Sequence, residues 1–228
     1  MIEETEESWF GHYSPADWRG FLSELISPRK QRLFAVACCR RVWEALPTEN
    51  CRRAVVVAER YADGNATVED LDAAREATEP YVNGEESNLP DNPATYTCRR
   101  DGDCPWCEVE ASSLAADRAI GTPDDPHPEV DPQWQEADLR EADAQMAVLR
   151  DIVGNPFHPV TADPRWLTST VVDLARGMYE ARDFGPMPIL ADALQDAGCE
   201  DTELLAHCRG PGPHVRGCWV VDLVLSKG

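Results

Sequence analysis

Prolines limit where this chain can bend, and several of them stand where helices begin. Ser14-Pro15, Ser27-Pro28, Asp131-Pro132 and Asp163-Pro164 each put a capping side chain directly before a proline. The side-chain oxygen takes a free amide of the first turn, and proline suits the first helical position, where no amide hydrogen is needed. The segments behind these signals carry helical periodicity. Ser27-Pro28 predicts a helix to about Leu46 whose middle, LFAVACC, is apolar on nearly every side and therefore buried. Pro47-Thr48 begins a helix to Asp63 with Gly64 as its stop, and Thr67 to Asp70 resembles a capping box for a helix to about Thr78. After Asp131-Pro132, an apolar stripe runs through Leu139, Ala142, Met146, Leu149 and Val153 and ends at Gly154. Asp163-Pro164 predicts a helix with Trp166, Val171, Leu174, Ala175 and Met178 on one side, and Ile189 to Ala197 a shorter one.

Between these segments the chain reads as loop. Residues 80–104 are dense in Pro, Asn, Gly and Ser, a helix is expected from about Pro105 to Ile120, and TPDDPHPEVDP is an acidic linker. Gly210 to Pro213 forces a turn. The apolar run Cys218 to Leu225 fits helix or strand by periodicity, and helix is favoured because no partner strand is evident. The expected fold is all-α: a compact multi-helix array with proline-punctuated loops and at most a short strand pair. It is read as one domain, with an N-terminal helical half over 14–78, a loop-rich insert over 80–131 and a C-terminal helical half over 132–225.

The charge narrows the partners. Forty-two acids against 21 bases leave a net −21. Such a chain cannot displace the counterions of a nucleic-acid backbone, and an anionic membrane surface repels it. A protein partner with a basic surface is compatible with this charge. The longest apolar run, Leu33 to Cys39, is too short to span a bilayer, and MIEETEESWF has no signal-peptide pattern. Nine cysteines then read as reduced thiols of a cytoplasmic protein.

Two groups of those cysteines have metal-ligand character. Cys98, Cys104 and Cys107 form a C-x5-C-x2-C group, with His127 or Cys51 as a possible fourth ligand. Cys199, Cys208, His214 and Cys218 are spaced C-x8-C-x5-H-x3-C, and thiolate with imidazole is the usual ligand set of zinc. In both groups the alternative is that the thiols are small buried hydrophobes or inert loop residues, and Cys104-Pro105-Trp106-Cys107 has a redox pair as a further reading, without the strand context such a pair needs. The spacing sets His207 aside, and because adjacent helical residues diverge, His207 and Cys208 do not read as a hydrolase dyad. Arg209, Arg216 and Asp222 around the glycine turn are weaker binding candidates. No phosphate loop, HExxH or nucleophile elbow occurs.

RKQRLFAVACCRRVW with AVVVAERYADG, and DIVGNPFHPVTADPRWL with the stretch from MPILADALQDAGCEDTELLAHCRGPGPHVRGCWVVDLVL, together resemble a family of proteins present in many copies in planctomycete genomes. The resemblance covers about residues 15–75 and 148–228, and it implies no particular activity, ligand or catalytic residue. Where such relatives carry an Ala-rich middle, this chain has the Cys-bearing loop 80–107. The functional expectation is a non-catalytic protein-interaction or regulatory module, with zinc as a possible stabiliser. The alternatives are a metal- or thiol-dependent enzyme using the C-terminal Cys/His/Arg cluster, and an acidic immunity-type protein that neutralises a basic partner.

Overall fold

A computed structural model describes residues 5–11, 13–23, 25–78, 93–99 and 131–227, without the side chains of Arg19, Leu22 and Ser23. These residues are all-α, with no strand among them. The helices are α1 (Glu6–Trp9), α2 (Pro15–Ser23), α3 (Pro28–Arg41), α4 (Glu49–Ala62), α5 (Val68–Thr78), α6 (Pro93–Thr97), α7 (Pro132–Val153), α8 (Ser169–Ala181), α9 (Met187–Asp196), α10 (Thr202–Arg209) and α11 (Trp219–Leu225). The contacts gather into two compact units, residues 1–146 and 147–228, and the division falls inside α7.

In the first unit, α3, α4, α5 and α6 pack on one another. The caps read from sequence are made: the side chains of Ser27 and Thr48 accept from the amides of Lys30 and Cys51, and Thr67 and Asp70 bond each other's backbone reciprocally. The core holds Cys38, Cys39, Cys51 and Cys98 among Val36, Val55, Ala58 and Leu71. The basic residues that follow Cys39 find acids, with Arg40 on Glu59 and Arg41 bidentate on Glu141 of α7. α3 ends at Arg41, earlier than expected, and a 3-10 turn over Trp43–Ala45 follows.

α6 lies where a continuous loop was expected. Its anchor is distant in sequence. The buried Arg32 of α3 donates to the carbonyls of Thr97 and Arg99, and its guanidinium stacks 4.9 Å from the Tyr61 ring. A cation on the free carbonyls of a helix end is favourable through both hydrogen bonding and the dipole. The stripe on α7 also differs from expectation: Leu139 is exposed, and the buried positions are Glu141, Gln145, Met146, Val148, Leu149, Asp151 and Ile152. The helix expected over 105–120 lies outside the described residues.

In the second unit, α8, α9, α10 and α11 enclose a core of Val171, Met178, Leu190, Leu194, Leu204 and Val221 with Cys199, Cys208 and Cys218. The helix expected from Asp163-Pro164 is divided. Pro164–Trp166 forms one 3-10 turn, and α8 starts afresh with the Thr168 hydroxyl accepting from Val171. The final apolar run is helical, as favoured. No helix among the described residues is long and apolar enough to cross a membrane.

Candidate metal centre

An acid in the last turn of a helix faces the negative end of the dipole, and burial adds a desolvation cost. Asp151 accepts both. It stands in the last turn of α7, and its side chain is 2% exposed. Its partners explain its placement. Oδ1 lies 2.8 Å from His214 Nδ1 and 3.2 Å from His207 Nε2, while Oδ2 accepts the Val215 amide at 2.9 Å. Burial pushes the Asp151 carboxyl up, but the bonds to His207 and His214 more than offset it, and the group stays below the usual carboxylate range.

Three structural elements bring the other side chains to Asp151. His207 is in the last turn of α10, capped at its start by Asp201 on the Leu204 amide. The turn after α10 reverses through Gly212, whose φ of +83° suits glycine; a Cβ there would meet the His214 amide at 3.0 Å. Gly217, at φ +96°, delivers Cys218 to the start of α11. The Cys218 sulfur lies 3.3 Å from His207 Nε2. One donor atom from each of Asp151, His207, His214 and Cys218 therefore falls within 4.8 Å of all the others. Ligand atoms of a tetrahedral zinc site stand about 3.3–3.8 Å apart, from bonds of about 2.0–2.3 Å. Three of the pairs here stand at 2.8, 3.2 and 3.3 Å and the rest within 4.8 Å, so the group could hold a metal ion after small shifts of its side chains.

The arrangement is unlike a catalytic triad, where thiol and carboxylate engage opposite nitrogens of one imidazole. Here both approach His207 Nε2. Cys218 is fully buried, which pushes its thiol well above the ordinary range even though the Val220 and Val221 amides favour the thiolate. One nitrogen cannot give one proton to both the sulfur and the carboxylate oxygen. A cation between them removes that competition. His214 Nε2, on the far side of its ring, is buried with no hydrogen-bond partner.

Of the set Cys199, Cys208, His214 and Cys218, only His214 and Cys218 meet. Cys199 is buried beside an open cleft lined by Gln195, Thr202 and Arg209. Cys208 points into the core, where burial, with Cys199 and Asp151 nearby, pushes its thiol up to about 12. Adjacent residues of a helix point about 100° apart, so only one of His207 and Cys208 can face the centre, and it is His207. Asp151 has no local pattern; its one sequence signal is an acid in the last turn before a helix stop.

The remaining candidates have other roles. Cys98 donates to the Ala54 carbonyl at 3.2 Å, and burial pushes its thiol up to about 11, so it is held as a thiol. Cys104, Cys107 and His127 lie outside the described residues, and Cys51 is buried on the Thr48 hydroxyl. Arg209 bonds Asp192 and Gln195. Arg216 lies 4.5 Å from the Tyr179 ring centre. Asp222 is buried within α11, its carbonyl taking the Lys227 amide. The chain matches no protein-family model, no curated protein and no solved structure.

Proposed function

We propose that the chain is a non-catalytic protein-interaction or regulatory module of the cytoplasm whose C-terminal unit is stabilised by one zinc ion on Asp151, His207, His214 and Cys218. The observation that carries the reading is that two imidazole nitrogens, one carboxylate oxygen and one sulfur lie within 4.8 Å of one another. Zinc takes such a mixed set, and four protein ligands mark a structural site, because a catalytic one keeps a position for water or substrate. The thiol-enzyme alternative loses support from burial, since Cys208 is held as a neutral thiol away from solvent and Cys218 is fully buried. The interaction role rests on the net charge of −21, which suits a basic protein surface. The cytoplasmic assignment rests on the nine cysteines, seven of which are free thiols in the described residues.

Elemental analysis of the purified full-length chain tests the metal. We expect about one zinc per chain, reduced in H207A and C218A. Metal-free protein with unchanged stability would overturn the zinc reading. Turnover of a small molecule, together with an empty screen against basic protein partners, would overturn the interaction reading.

A further inference from the structure

We infer that this centre holds its ion in a four-coordinate geometry with Asp151 as a one-oxygen ligand, and so selects Zn2+ or Co2+ over Mg2+, Ca2+ and Mn2+. The Val215 amide is the positioning group. The inference rests on the zinc reading and adds how the ion is chosen.

The two Asp151 oxygens are not equivalent. Oδ1 faces both imidazoles, at 2.8 and 3.2 Å. Oδ2 is engaged by the Val215 amide at 2.9 Å. A carboxylate so held offers the ion one oxygen. Bidentate ligation would break a hydrogen bond to a buried charged acceptor, which is costly to leave unmade. Calcium needs six to eight oxygens and uses bidentate carboxylates to reach that number, and magnesium needs an octahedron of oxygens. This centre supplies one oxygen, two nitrogens and one sulfur. Waters have little room to complete a larger shell, because Asp151 is 2%, His214 9% and Cys218 0% exposed. His207, at 19%, is the ligand nearest solvent and marks the way in. Thiolate and imidazole are the donors borderline metals prefer, and they bind the oxygen-seeking cations poorly.

The test uses the full chain, stripped with a chelator under reducing conditions and titrated with Co2+. Four-coordination gives strong visible d–d absorption and a thiolate-to-cobalt charge-transfer band in the near ultraviolet. We expect both. C218S should lose the charge-transfer band, Zn2+ should displace Co2+ one for one, and Mg2+ or Ca2+ in about a hundred-fold excess should change nothing. V215P, which lacks the amide donor, should weaken the visible bands as Asp151 turns bidentate, while V215A, which keeps the amide, should match the parent. A weak octahedral spectrum, or displacement by Mg2+ or Ca2+, overturns the selectivity even where zinc is bound one per chain. If neither cobalt nor zinc binds, this inference and the zinc reading fall together. The parent titration decides the matter even if V215P fails to fold.

Discussion

Gly154→Ala should damage the C-terminal unit more than a glycine substitution of the same backbone type elsewhere in it. Gly154 closes α7 at φ +75°, and a Cβ there would sit 3.0, 3.1 and 3.2 Å from Cγ, Cδ2 and Cδ1 of Trp219. Two costs follow. Alanine in the left-handed region is disfavoured by about 1–2 kcal/mol. Forcing a methyl against a packed ring adds about 1–3 kcal/mol. Gly198 serves as the control, since its φ is +89° and nothing lies within 4 Å of its Cβ position, so Gly198→Ala carries the conformational cost alone. The difference between the two variants should be about 1–3 kcal/mol, read from denaturant dependence of hydrogen exchange over 147–228. A metal readout separates them further. The Trp219 ring lies 5.2 Å from the His207 ring, so G154A should displace a ligand and weaken zinc about 10- to 100-fold, while G198A leaves affinity unchanged. Equal destabilisation within about 0.5 kcal/mol, with equal affinity, would refute the claim that Trp219 buttresses the centre.

In chelator, D151N should cost about 3–5 kcal/mol, because a buried charge is removed from two imidazoles and an amide. The Asp151 carboxyl titrates lower folded than unfolded, so its stabilisation is present above about pH 4 and lost as pH falls through the folded value; acid unfolding curves of D151N should lack that limb. Cys98 has the opposite sign. Its folded thiol is raised to about 11, so stability is complete below the ordinary thiol range and falls as pH rises toward that value. The loss should reach about 2–3 kcal/mol, measured as urea midpoints of the parent against C98A at pH 8 and pH 11. All seven described cysteines are buried, so mass-resolved iodoacetamide labelling of the native chain should leave them slow, and rapid labelling of Cys208 would revive a thiol chemistry. R32M should strip exchange protection from residues 93–99 at a cost of about 2–4 kcal/mol, since it leaves two carbonyls without their donor.

What could be read from sequence was local. Ser27, Thr48 and Thr67 cap as expected because a cap and its amide lie within three residues of each other. α6 escaped because five residues carry no periodicity of their own and are held by Arg32, 65 residues away. At 163–168, two legitimate caps competed, and Thr168 took the helix while Asp163 kept one turn. The centre divides along the same line. His214 and Cys218 follow a visible turn, Gly210 to Pro213, and were legible as candidate ligands. His207 was hidden by its neighbour, since spacing alone cannot say which of two adjacent side chains faces inward. Asp151 lies 63 residues from His214, and nothing in its own stretch marks it as a ligand.

That unequal spacing also sets an order of assembly. His207 and Cys218 are 11 residues apart, with His214 between them. Two nitrogens and a sulfur can therefore gather by closing one short loop, at little entropic cost and before distant helices have docked. Asp151 must come from the far end of a much longer loop, carried by the last turn of α7, and contacts of that range form slowly. An ion caught by the local three would be held loosely until the carboxylate arrives. Its tightening would then report that α7 has docked, and metal lifetime in a zinc-loaded unit would serve as a clock for the completion of its fold.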